Sequence, residues 1–586
     1  MTGGRADPHA FGPLDRPLLG WIHRPPAGTP RRNVGLVICK PFGYEAVCAH
    51  RSMRHFADAA AARGVPALRF DYDGTGDSAG TDSDPGRWQA WCRSVGQAID
   101  ELRRVERVDQ VLLFGIRLGA TIAATAAADR ADVVGLIAVV PVLSGRAWLR
   151  ETNALEIAMR FPGAPPGLEL PVGYQESVGF VITEETRASL LNVDLVKTAA
   201  PPAPQILVLE RDDLAPNTKW VERLGGLGAA VELRRVPGYA AMMFDPHDSV
   251  VPRGMIDAMS DWIELRTAAT TAGSPADSPG IEVGPLRVAP GVTETAALFG
   301  RERNLFGIVA GPADGPTPSR AIVLLNAGAI THIGPSRLYV DLARKWAALG
   351  YLVLRFDQAG IGDSLAFAGE EENIVYAPSA LRGVREALDF LRERGAPQQV
   401  QALGLCSGAY HALKAAADGL PLNGIAIVNP LVFFWKAGMS LAYPPYQVAE
   451  ATARYKKAIL RLEKWKKLLS GKVDLRDVFE VGARRASAAA AALARNVART
   501  VGLPLPEDLG AELDAVARRG VALRFVFATG DPGEDLLRTQ AGWALPRLER
   551  ASRIRISRID GPNHAFTPVW SRVILTEILE AELEVR

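Results

Sequence analysis

The sequence predicts an α/β protein of two tandem domains, each a mostly parallel sheet flanked by helices. Two observations carry this expectation. First, apolar runs rich in Val, Ile and Leu, such as "GLVICKPFG" and "AIVLLNAGA", alternate with Ala- and Arg-rich helical patterns such as "DLARKWAALG" and "ALRGVREALDFLRERG", the pattern of βαβ units around a buried sheet. Second, the chain repeats itself. "PALRFDYDGTGDSAG" (66–80) matches "LVLRFDQAGIGDSLA" (352–366), setting Asp71 over Asp357 and Asp77 over Asp363 at an offset of 286. "GIRLG" and "GLCSG" lie 289 apart, as do Pro141 and Pro430, so the order of motifs is kept.

Length and composition agree with this division. The 586 residues are too many for one ordinary core. With 48% hydrophobic residues, 23% charged and a net charge of +2, the chain reads as globular, and no nucleic-acid partner is expected. The start, "MTGGRADPHAFGPLDRP", lacks the apolar core of a secretion signal, and the longest apolar stretch, "VVGLIAVVPVL", is too short to span a bilayer. Cys39, Cys48, Cys92 and Cys406 have no metal-ligand spacing and are too few for a disulfide framework. A reducing cytoplasm, with no metal and no cofactor, is the expectation.

The low-complexity stretch "RTAATTAGSPADSPG" (266–280) reads as a linker between domains at 1–265 and 281–586. The repeat offset jumps from 289 at "GLCSG" to 323 at "PGYAAMM" against "GPNHAF", so 34 extra residues fall mostly after Pro430. That insertion predicts a helical cap over the second site, at about 431–510.

"GLCSG" has the form of a nucleophile elbow, a sharp strand-to-helix turn whose flanking glycines let the central side chain stand out at a helix start. The central residue is Cys406. A helix N-terminus favours thiolate, the reactive form; the plainer alternative is a buried cysteine acting as a small hydrophobe. Partners are expected downstream in the order acid, then base. "DPGEDLL" after the strand "LRFVFATG" offers Asp531, with Asp535 as the rival acid that keeps the repeat offset with Asp212, and "GPNHAF" offers His564. An oxyanion hole would combine the backbone N–H of Ser407 with one from Ala327 or Gly328 in "NAGAI".

"LLNAGA", "LRFDQAGIGDS", "GLCSGA" and "GPNHAF" together resemble the serine-aminopeptidase-like and exosortase-associated branch of the α/β-hydrolases, and the resemblance covers nearly the whole chain, twice. It implies two α/β-hydrolase domains and an acyl-enzyme mechanism. Cysteine at the nucleophile position departs from that branch, where serine is usual, and resembles dienelactone hydrolases and polyhydroxyalkanoate synthases.

The first half reads as a degenerate copy. Arg117 stands at its elbow, where a guanidinium cannot act as nucleophile, and Ala241 takes the place of the histidine. Asp212 survives as the acid. Arg117 is expected either to bind an anion or to pair with Asp212, and His247 reads as a surface residue. In the second half, an acyl group on cysteine remains a thioester and keeps its activation, which suits transfer from an acyl carrier protein or acyl-CoA to an alcohol or amine, with water as the alternative acceptor. A non-catalytic binding protein is the third reading. In the cap, "AGMSLAYPPYQV" brings Met439, Tyr443 and Tyr446 toward an apolar pocket. "RYKKAILRLEKWKK" (454–467) carries seven Lys or Arg beside Trp465, a basic amphipathic pattern that suits either an acidic carrier or a solvated lid helix.

Overall fold

The structure, a computed structural model, describes residues 6–159, 161–270, 282–436, 438–439 and 505–585. They form two lobes of one topology. The first sheet comprises β1 (Ala6–Phe11), β2 (Leu18–His23), β3 (Val34–Cys39), β4 (Ala67–Phe70), β5 (Gln110–Ile116), β6 (Val133–Val139), β7 (Gln205–Glu210) and β8 (Ala230–Arg235), in the order β1-β2-β4-β3-β5-β6-β7-β8. The second comprises β9 (Glu282–Ala289), β10 (Val292–Phe299), β11 (Leu305–Pro312), β12 (Arg320–Leu325), β13 (Leu352–Phe356), β14 (Gln399–Leu405), β15 (Gly424–Val428), β16 (Ala522–Ala528) and β17 (Ile554–Ile559). Its order is β9-β10-β11-β13-β12-β14-β15-β16-β17, so the second sheet repeats the first with one added edge strand. Strands β3 to β8, and β12 to β17, are parallel, and the strands before them are antiparallel. Residues such as Val34–Cys39 are buried on both sides, as strands covered by helices on each face must be.

Each sheet has an apolar core on both faces. A fifth cluster joins the lobes at their antiparallel ends, where Leu19 and Trp21 meet Ala296, Leu298, Phe306 and Ile308. Trp21 stands edge-on to Phe306, centroids 4.4 Å apart.

Beside this contact the repeated "RFD…GD" segments exchange charges. Arg69 of the first lobe pairs with Asp363 of the second at 2.7 Å, and the equivalent Arg355 pairs with Asp77 of the first lobe. All four side chains are at most 7% exposed. His332 bridges the same boundary, with Nε2 2.8 Å from Asp77 and Nδ1 2.9 Å from Asp357. Burial alone would depress its pKa, but Asp77 and Asp357 outweigh that and push it up to about 10. Burial likewise opposes charge on Asp77 and Asp363, yet His332 with Arg355, and Arg69 with His50, hold both carboxyls below the usual range.

Two expected boundaries shift. The first lobe does not end at 265, because a helix runs on to Arg266 and Ala269–Thr270 pairs antiparallel with Arg31–Arg32. The expected linker therefore begins later than 266, and its remainder lies outside the described residues. The expected cap at 431–510 also gives up both ends to the lobe body, where Val432, Phe433 and Leu509 are buried.

Removing one partner of a buried pair strands the other charge. Asp363→Asn, which leaves Arg69 without its carboxylate, is expected to cost about 3–5 kcal/mol in chemical unfolding, and Arg69→Met combined with Asp363→Leu much less. His332, with its folded pKa above that of the unfolded chain, contributes fully below about pH 6.5, and this is lost as pH rises through about 10. Asp77 and Asp363 contribute above about pH 4 and lose it on acidification. His332→Gln should flatten the alkaline fall in unfolding free energy; an unchanged slope would contradict this.

Candidate active site

The two elbows share one backbone geometry. Cys406, between β14 and the helix Ser407–Ala417, has φ 58° and ψ −115°; Arg117, between β5 and the helix Leu118–Ala127, has φ 52° and ψ −123°. Positive φ is strained for residues with a side chain and persists where the surroundings impose it. The flanking glycines are a steric need. A Cβ on Gly404 would lie 2.0 Å from the Gly408 carbonyl carbon, and one on Gly408 would lie 2.5 Å from the Leu325 oxygen. Both central residues are also tied to the next strand, with Cys406 N–H donating to Val428 O and Arg117 N–H to Val139 O, each at 3.0 Å.

Downstream of β16, Asp531 caps the helix Pro532–Ala541. Its Oδ1 accepts from Gly533 N–H at 2.9 Å, and its Oδ2 lies 2.7 Å from His564 Nδ1. A carboxylate only accepts, so Nδ1 carries the proton and Nε2 is the nitrogen left for chemistry. Burial works against a charge on His564, but Asp531 and Cys406 outweigh it and push its pKa up to about 10. Nε2 itself is covered and makes no hydrogen bond of standard geometry among the described residues. The rival acid Asp535 is exposed. Asn429, which the motif reading did not single out, fixes the histidine loop: its Nδ2 donates to His564 O at 2.7 Å while its Oδ1 accepts from Ala528 N–H at 2.9 Å.

The oxyanion expectation changes at one residue. Gly328 N–H donates to Ser407 Oγ at 2.8 Å, and that hydroxyl donates to Asn326 O at 3.2 Å. Gly328 is therefore engaged in joining its loop to the elbow. Ser407 N–H lies in the first helical turn, where no intrahelical carbonyl accepts from it, and Ala327 N–H has no hydrogen-bond partner among the described residues.

In the first lobe Arg117 does not pair with Asp212 and is not open to an outside anion. It is held by Glu45 at 2.8 Å and Glu151 at 2.6 Å. Burial raises the Glu45 carboxyl despite Arg117. Among the described residues Asp212 offers only its backbone oxygen, to Arg235, and Ala241 lies in the short helix Tyr239–Met242.

A cavity of about 870 Å³ lies beside the second elbow, lined by Tyr376, Tyr410, His411, Trp435 and Met439 and rimmed by His247 of the first lobe. His247 is thus at a pocket mouth rather than on plain surface. The rim is held across the lobes, with Asn373 Nδ2 donating to Pro246 O at 3.0 Å. Met439 lines the pocket, while Tyr443, Tyr446, Trp465 and the 454–467 segment lie outside the described residues. Tyr376 and His411 gave no sequence signal, since only burial singles them out. Among the described residues no His, Cys, Asp and Glu cluster suits a metal ion, and no helix is long and apolar enough to cross a membrane.

The His564–Asp531 contact predicts a titration. By NMR, the His564 ring should stay protonated to about pH 10. It should titrate nearer pH 6.5 in Asp531→Asn and be unmoved in Asp535→Asn.

Among solved structures, the chain is similar to the α/β serine hydrolase XC6422 of Xanthomonas campestris (17% identity over 45% of this chain and 97% of that one, TM-score 0.31). It is also similar to Est1E of Butyrivibrio proteoclasticus (16%, 44% and 99%, TM-score 0.33) and to the esterase Pf2001 of Pyrococcus furiosus (15%, 45% and 91%, TM-score 0.31). No curated protein matches the chain. The family described as serine aminopeptidase, S33, matches residues 48–175 and 317–494. Those two stretches cover more than half of the sequence, one in each lobe, and the chain belongs to that α/β-hydrolase family.

Proposed function

We propose that the second lobe is an acyl-transfer enzyme working through a Cys406 acyl-enzyme, with His564 as base and Asp531 orienting it. The observation that carries this reading is the Asp531–His564 pair at 2.7 Å, which leaves Nε2 to serve the cysteine-bearing elbow. Cys406 Sγ, its proton already on His564, attacks the carbonyl carbon of an acyl thioester. The tetrahedral oxyanion is met by Ser407 N–H and Ala327 N–H. The donor C–S bond breaks, and the departing thiolate takes the proton from His564. An alcohol or amine then attacks the Cys406 thioester and gives its proton to His564, which keeps it as the C–S bond breaks and the Cys406 sulfur leaves as thiolate.

An acylated cysteine loses little of the donor's activation, which favours transfer; an acyl carrier protein or acyl-CoA fits as donor. Membership of a hydrolase family favours a second reading, in which water is the acceptor. The first lobe, without nucleophile or base, serves packing and the pocket rim.

Intact-protein mass spectrometry with an activated acyl thioester is expected to show one added acyl mass that is absent in Cys406→Ala. In His564→Ala acylation should slow by roughly 100- to 10,000-fold. Persistence of the adduct in Cys406→Ala would overturn the proposal. Release of the acyl group to water at one rate, whatever alcohol or amine is added, would select the hydrolase reading.

A further inference from the structure

The 870 Å³ cavity holds an anomaly. Its walls are aromatic, with Tyr376 stacked on Trp435 at 4.2 Å and 17°, and edge-on to Tyr410 at 5.2 Å. Yet the Tyr376 hydroxyl and both ring nitrogens of His411 are covered and have no hydrogen-bond partner among the described residues. Tyr376 is 5% exposed and His411 2%. A buried donor or acceptor left unpaired is destabilising, and these three face a cavity rather than packed core. Three such atoms on two neighbouring side chains, in one apolar pocket, mark a place built for a polar group that arrives from outside.

The surroundings specify that group. Burial lowers the His411 pKa to about 4, so the ring is neutral near pH 7 and offers one donor and one acceptor. Burial raises the Tyr376 pKa, so its hydroxyl stays protonated, and His411 lies on the helix that Cys406 opens. The charges on the lining are already matched: Lys414 is held by Glu512 at 2.7 Å, and Asp418 by Arg385 at 2.9 Å. A carboxylate or phosphate would find no free cation among the described lining residues. A neutral oxygen on an otherwise apolar chain fits.

Resting on the acyl-transfer reading, we propose that Tyr376 and His411 are specificity determinants that select an acyl chain bearing a neutral hydroxyl or oxo group, over the plain chain. The aromatic walls take the methylenes and the two polar side chains take the oxygen. A pocket built to hydrogen-bond a group rejects the analogue lacking it, because its own polar atoms then stay buried and unpaired.

Calorimetric titration of the full chain tests this with unreactive amide analogues of N-acetylcysteamine thioesters, carrying octanoyl, 3-hydroxyoctanoyl, 3-oxooctanoyl or 5-hydroxyoctanoyl chains. At least one oxygenated chain should bind about tenfold or more tighter than octanoyl. Tyr376→Phe and His411→Leu should each erase most of that preference. Both variants should also unfold at no lower temperature than the parent, since each removes an unpaired polar group. Equal binding of all chains, no binding of any, or a preference kept in both variants would overturn the proposal. Cys406 acylation by octanoyl thioester is read separately. Acylation without chain preference sinks the pocket assignment alone, and preference without acylation sinks the transfer reading alone.

Discussion

The crossed ion pairs between the repeated segments are what the rest of the molecule depends on. Arg69 and Arg355 occupy the same position of the repeat, as do Asp77 and Asp363, and each arginine takes the aspartate of the other lobe. Contacts of this reciprocal kind are those that two copies of one protein make across a two-fold axis. A lobe alone would expose a guanidinium and a carboxylate shaped for a partner that is missing, so neither half of the chain is complete without the other.

That constraint reaches the elbow of the second lobe. Asp77 grips His332, whose backbone N–H also donates to Asp357 at 2.6 Å. Asn326, at the start of the same loop, donates to Asp357 at 3.0 Å and accepts from Gln358 N–H at 2.7 Å. Ala327 and Gly328 lie between these anchors, and Ser407 ties Gly328 to the elbow helix. A first-lobe carboxylate thus helps fix the loop facing the Cys406 elbow. This gives a physical reason for a lobe with Arg117 at its elbow to be retained: its site carries no nucleophile, but its Asp77 is part of the framework of its neighbour's.

Much of this was legible in the sequence, and what was not has definite causes. The elbows were readable because a positive-φ turn admits only glycine at its close contacts, and that spacing survives in both halves whatever stands at the centre. Asp531 and Asp535 could not be separated by pattern, since what divides them is a helix cap: one lies at its mouth and the other on its exposed side. Ala327 and Gly328 are not separable by motif, since what distinguishes them is the Ser407 side chain that accepts the Gly328 N–H. Position in the repeat offers Arg117 either an outside anion or Asp212, whereas its partners come from two helices remote in sequence, Glu45 and Glu151. Tyr376 and His411 have no motif at all, and only the three-dimensional packing reveals them as unpaired.

The account comes down to which sulfur takes the acyl group. Four thiols are present, and Cys39 and Cys48 are buried while Cys92 and Cys406 are partly exposed. Peptide mapping after brief exposure to a limiting acyl thioester decides among them. The account predicts the adduct on the peptide bearing Cys406, lost when His564 is replaced; an adduct on Cys92, or one on Cys406 indifferent to His564, would contradict it.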